Sequence, residues 1–152
     1  DDGVKRLYKI YSKVFCDNGG KITEPDLKKL WNNNDLMLAI PFYDSFVYQN
    51  NLKYGANFMH NFKYYNPVFF LEDNGLPYDT LLRGAVSEFT LLNNFPTQEV
   101  KSIFYRHKKD LMAFQTYKMI TNRNFSRKAS IKTPQLNGCG SDEFCMESFL
   151  EK

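Results

Sequence analysis

The chain of 152 residues lacks any apolar run near the roughly 18 residues of a membrane-spanning helix, which excludes a helical span. It opens on Asp1-Asp2-Gly3 rather than a basic and then apolar leader, and reads as soluble as given; a mature secreted protein or a fragment would read the same way. No glycine-rich phosphate loop, no HExxH pair and no CxxC pair is present, so the common motif-bearing enzymes, metal sites and cofactor sites lose their main support and no cofactor is expected. Histidine is scarce: His60 and His107, 47 positions apart, are the only imidazoles that could move a proton near neutral pH, and neither has a neighbour in sequence that marks it as catalytic.

Cysteine is scarce too. Cys139 and Cys145 enclose a short glycine-containing loop that a disulfide could close in an oxidising compartment, leaving Cys16 over; three reduced thiols in a cytoplasmic protein fit the odd count equally well. Compartment therefore hangs on that pair: secreted if Cys139 and Cys145 are joined, cytoplasmic otherwise. Asn124-Phe125-Ser126 is an N-glycosylation sequon, placing Asn124 as a glycan acceptor, while Arg127-Lys128-Ala129-Ser130 resembles a basophilic kinase site. The two imply opposite compartments.

Aromatic side chains, by contrast, are abundant. Fourteen Phe and ten Tyr shift the apolar content from aliphatic to ring side chains, which suits both core filling and a broad contact face. The length suits one domain, 1–152, with a core large enough to need no metal or disulfide.

Periodicity predicts a mainly α, multi-helix fold, with α+β as the alternative. Val4, Leu7, Tyr8, Tyr11, Val14 and Phe15 recur at helical steps and Asp17-Asn18-Gly19-Gly20 ends the run. Thr23, Pro25 and Asp26 mark the start of a second helix carrying Leu27, Leu30 and Trp31. Short strands are expected in the region 42–71, with Val68-Phe69-Phe70-Leu71 the best candidate and Glu72-Asp73-Asn74-Gly75 a turn. Leu81, Leu82, Ala85, Val86, Phe89 and Leu92 form a helical stripe ended by Asn93, Asn94 and Pro96. A longer helix is expected from a Thr97 cap to about Ile120, and a short last one over 143–150 that returns Phe144, Phe149 and Leu150 to the core.

The loop from Phe15 to Leu27 resembles a degenerate EF-hand. Aligned on Gly20, Ile22 and Asp26, however, it puts Phe15 and Gly19 where oxygen ligands belong, so a helix-turn-helix corner stabilised by Thr23 is expected in place of a calcium-responsive module.

The strongest compositional signal is a charge reversal. Between Lys101 and Lys132 nine cations face the single acid Asp110, and Asp142, Glu143, Glu147 and Glu151 follow. The segment 121–141 reads as exposed and basic. With Phe104, Tyr105, Phe114, Tyr117 and Phe125 among the cations, the leading expectation is a non-enzymatic interaction domain whose contact residues include Arg106, Lys108, Lys109, Arg123, Arg127 and Lys128. A protein partner with an acidic surface suits them, as does the acidic C-terminal turn of the same chain; stacking on a single-stranded nucleic acid is a further alternative.

The order Arg123-Asn124-Phe125-Ser126, a spacer, then Gly138-Cys139, Cys145 and Phe149 resembles the end of secreted histidine acid phosphatases. In that family a late sequon precedes a Gly-Cys…Cys-Pro-Leu…Phe segment, and the resemblance implies that Cys139 and Cys145 pair. It covers less than a fifth of the chain, and Met146 stands where proline is typical. The family's chemistry uses an Arg-His-Gly nucleophile motif and a His-Asp pair. This chain has no Arg-His-Gly, and its nearest His-Asp analogue is His60-Asn61, whose amide cannot deliver a proton, so the resemblance implies an incomplete or inactive relative.

Overall fold

The computed structural model describes residues 1–43, 45–52, 61–121 and 141–151. It is mainly helical with one small sheet: six α-helices and three short strands occur among the described residues. The chain divides into two compact units, residues 1–39 with 61–68, and 40–60 with 69–152.

In the first unit, α1 (Asp2–Ser12) begins where the Asp1 side chain accepts a hydrogen bond from the Gly3 N–H, and runs into a widened π turn over Lys13–Asp17. Gly19 and Gly20 take φ of 60° and 92°, the left-handed region that ends a helix cheaply only without a Cβ. Helix α2 (Glu24–Leu30) then starts as expected: the Thr23 hydroxyl accepts from the Asp26 N–H and Pro25 occupies the first turn. The side of α1 that packs is narrow. A Cβ on Gly3 would lie 2.6 Å from the Asp35 carbonyl oxygen, and Arg6 Nε donates to Asp35 Oδ2 at 2.8 Å. Of the expected apolar stripe, Val4, Leu7, Tyr8, Tyr11 and Phe15 are exposed, while Val14 is half-buried. In the same unit the Trp31 and Tyr65 rings meet edge-on at 5.2 Å.

The sheet consists of β1 (Ala39–Ile40), β2 (Val68–Leu71) and β3 (Thr97–Glu99), hydrogen-bonded in the order β1-β2-β3, with Ala39 and Val68 the last residues of the first unit's two segments and the rest in the second. Strand β2 falls where its β-branched and aromatic run predicts, while the ambiguous stretch before it contains a helix, α3 (Phe46–Leu52), whose first turn is tied by Ser45: its hydroxyl accepts from the Tyr48 N–H. Helix α4 (Asp79–Asn93) joins β2 to β3, which run parallel with Phe69 opposite Thr97 and Leu71 opposite Glu99. It ends as the sequence predicts, with Asn94 in the left-handed region at φ 56°. Between sheet and helices lies an aromatic core: Phe69, 1% exposed, packs its ring 5.5 Å from Phe89 and 5.8 Å from Phe95, and Phe46 lies 5.3 Å from Phe89.

The long helix expected from Thr97 to Ile120 is corrected. Residues 97–99 are strand β3, held by Phe69 N–H donating to the Pro96 carbonyl and Val100 N–H to that of Leu71. Pairing to β2 overrides the local helical periodicity. Helix α5 (Leu111–Thr121) begins only after a 3₁₀ turn at Lys108–Asp110, whose Asp110 carboxylate accepts from the His107 N–H. The last helix, α6 (Met146–Leu150), returns Phe144 to the core at 1% exposure, but Phe149 and Leu150 remain outside it.

Candidate functional site

The basic run after β3 and the acidic turn before α6 are brought together. Residues 104–106 and 144–147 lie alongside one another: Phe104 N–H donates to the Phe144 carbonyl at 2.9 Å, Met146 N–H to Tyr105 at 3.0 Å, and Glu147 N–H to Arg106 at 3.1 Å. The backbone match sets the side-chain charges against each other. Lys101 Nζ, on a side chain only 6% exposed, reaches Glu143 Oε2 at 3.1 Å. Lys108 reaches Glu143 at 3.7 Å and Glu151 at 2.9 Å, and its N–H donates to Glu147 Oε2 at 3.0 Å. His107 Nδ1 stands 3.6 Å from Glu147 Oε2. Of the two acidic counterparts the charge pattern allows, the chain's own C-terminal turn occupies Lys101 and Lys108.

Burial alone would raise the Glu143 carboxyl, but the hydrogen bond and charge of Lys101, with Ser148 and Lys108, hold it below the usual range. A depressed carboxylate contributes stability that is present above its unfolded pKa and lost as pH falls through the folded value. Acidification below the ordinary carboxylate range should therefore loosen this clasp. Hydrogen exchange at the Phe104 amide, corrected for intrinsic rate, should lose protection as pH falls through that range, and Glu143→Gln should flatten the dependence. Unchanged protection in both proteins would contradict it.

The remaining expected contact residues separate. Arg106 and Lys109 are exposed and make no ion pair among the described residues. Arg123, Arg127, Lys128, the sequon Asn124, Phe125 and all but the two end residues of the segment 121–141, expected to be exposed and basic, lie outside the described residues, as does His60. Beside Arg106, Phe104 is 47% exposed yet ordered by stacking, 5.6 Å from Phe114 and 5.5 Å from Phe144. Lys118 Nζ sits 5.8 Å from the Phe114 ring centre. Cys139 lies outside the described residues. Cys145 is a free, buried thiol among the described residues, 3.3 Å from Ser148 Oγ. Tyr105, whose hydroxyl is buried without a hydrogen-bond partner among the described residues, is pushed up to about 12 by that burial.

Sequence reading missed a second polar cluster, at the carboxyl ends of the parallel strands. Glu72 follows β2, Ser102 follows β3, and Asp79 opens α4; Glu72, Asn74 and Asp79 are 5%, 0% and 2% exposed. Glu72 Oε2 accepts from Ser102 N–H at 2.7 Å and Asn74 Nδ2 at 2.8 Å, while Oε1 accepts from the Ser102 hydroxyl at 2.9 Å. Asp79 accepts from the Tyr43 hydroxyl at 2.9 Å and from the Asn74 and Leu76 N–H groups at 2.9 and 3.0 Å. Burial, with Asp79 and Glu72 nearby, drives the Tyr43 phenol far above its ordinary value, so it acts as a permanent donor. Both carboxylates are consumed as acceptors by the chain itself. Among the described residues the Ser102 hydroxyl meets the Glu72 carboxylate and no imidazole, His107 lying against Glu147. The arrangement fixes the loop between β2 and α4 and the strand exit after β3.

The corner between α1 and α2 contains few oxygen ligands: Asp17 is paired with Lys13 at 3.2 Å and Asp26 is engaged by Thr23, whose hydrogen bond holds its carboxyl below the usual value. No group of three or more His, Cys, Asp or Glu suited to a metal ion occurs among the described residues, and no helix among them is long and apolar enough to cross a membrane. No family model matches the chain, and no curated protein matches it.

Proposed function

We propose that the chain is a non-enzymatic protein-interaction domain whose contact surface is the basic, aromatic-edged face of residues 104–118. The observation that carries this reading is Phe104: nearly half exposed, stacked against the Phe114 and Phe144 rings, and two and five positions in sequence before Arg106 and Lys109, which have no acidic counterpart among the described residues. A stacked, half-exposed ring close in sequence to cations unpaired among the described residues supplies the apolar anchor and the charge steering that a partner with an acidic surface needs. The paired cations Lys101 and Lys108 illustrate the complement, since the acidic residues that meet them approach along a backbone match.

The test is Arg106→Glu with Lys109→Glu in the full chain. Proteins captured from cell extract by the wild type should bind the double variant roughly tenfold more weakly, at about 1 kcal/mol or less per rim charge, while thermal melting stays unchanged because both side chains are exposed. Equal capture by both proteins would remove the reading.

A further inference from the structure

The first unit carries a feature that this reading does not use. Between Val4 and Phe15 the sequence holds four cations and no acid. Val4, Leu7, Tyr8, Tyr11 and Phe15 are 46%, 58%, 69%, 59% and 58% exposed. Their spacing of three and four residues places them in one line along roughly 16 Å of helix. Apolar side chains in that number and alignment are far from the scattered single exposures normal on a soluble surface. The opposite side of α1 is committed: Arg6 donates to Asp35 and to the Leu30 carbonyl at 3.5 Å, and Gly3 lies against the Asp35 carbonyl oxygen. The helix is therefore pre-formed and the stripe points away from its own support.

We infer that α1 docks this chain on an anionic lipid surface, lying in the plane of the interface with the stripe from Val4 to Phe15 immersed and Lys5 and Lys9 among the headgroups. The chemistry of the helix selects this occupant. On the exposed half of α1 the apolar line is bordered by Lys5 and Lys9; Lys9 makes no ion pair among the described residues, and the Lys5 bond to Asp2 joins two side chains 71% and 77% exposed, which headgroup phosphates can replace. Tyr8 and Tyr11 carry a ring and a hydroxyl, the combination that settles where an apolar layer meets water. Large amphipathicity, cations on the polar side and aromatic and Leu side chains on the other are the physical requirements for an interfacial helix. A second copy of the chain is a poorer fit: one stripe of five side chains on a three-turn helix covers less than the roughly 800 Å² per partner of a stable protein interface.

The experiment is co-sedimentation of the full chain with phosphatidylcholine vesicles, with and without roughly 30% phosphatidylserine. Binding to the phosphatidylserine vesicles should exceed that to phosphatidylcholine alone by about tenfold and weaken in high salt. L7E/F15E and K5E/K9E should each lose at least about tenfold, since a surface lysine contributes about fivefold and an immersed Leu or Phe more. Both variants should melt like the wild type because all four positions are exposed, and R106E/K109E should bind vesicles as the wild type does, keeping this test separate from that of the protein-binding face. Failure of the wild type to sediment with either vesicle would overturn the proposal. So would sedimentation that survives L7E/F15E but not R106E/K109E, or wild-type dimerisation in place of vesicle binding that L7E/F15E abolishes.

Discussion

Asp79→Ala is expected to destabilise the second unit by about 4 kcal/mol, a large part of the 5–15 kcal/mol that holds an ordinary domain together. The carboxylate is 2% exposed and accepts three hydrogen bonds, from the Tyr43 hydroxyl and the Asn74 and Leu76 N–H groups. Truncation leaves three buried donors unsatisfied, at about 1–3 kcal/mol each. Relief of the desolvation of a buried carboxylate offsets part of that sum. Asp79 also stands in the first turn of α4, where a negative charge meets the positive end of the helix. Asp79→Asn keeps one acceptor oxygen and should cost about half as much. The single tryptophan, Trp31, belongs to the other unit, so its fluorescence is the wrong readout. Amide exchange at Asn74 and Leu76, with near-ultraviolet circular dichroism in urea for the tyrosines, reads the right one. A shift below about 1 kcal/mol for Asp79→Ala would mean that the three bonds do not form.

The same cluster shows what the sequence could and could not reveal. Glu72-Asp73-Asn74-Gly75 reads as a turn and is one, with Gly75 at φ 70°. Its burial is invisible locally, because acids and amides in a row look solvated, and two of the three donors that make Glu72 tolerable inside come from Ser102, thirty positions later, with the Asn74 amide supplying the third. Helices α2 and α4 and strand β2 were legible since their signals are local: the Thr23 cap, Pro25, Asn94 and the Val68–Leu71 run. Strand β3 was not, because Thr97–Glu99 is exposed throughout and becomes a strand through Phe69 and Leu71, far back in the chain. The stripe on α1 was legible as amphipathic but not in its direction, since periodicity says which residues share a face and not which face the fold covers. The charge reversal was legible as a signal whose answer, partner or self, depended on the backbone match between 104–106 and 144–147.

Phe144→Ala should cost about 4 kcal/mol and also unfasten the acidic turn. The ring is 1% exposed, stacks 5.5 Å from Phe104 and lies 6.0 Å from Tyr43, so its removal leaves a ring-sized cavity of the kind that costs about 3–5 kcal/mol. It is the anchor that keeps Glu143, Glu147 and Glu151 against Lys101 and Lys108; the ion pairs themselves are mostly surface contacts worth little each. A glutamate-specific protease should therefore cut the variant at Glu147 and Glu151 well below its global melting temperature, where the wild type resists. The ring also supports Tyr43, which donates to Asp79, so the two largest effects share a neighbour. Asp79→Ala combined with Phe144→Ala should cost less than the sum of the two by about 1 kcal/mol or more. Strict additivity in urea unfolding would show that the aromatic stack and the buried carboxylate are held independently.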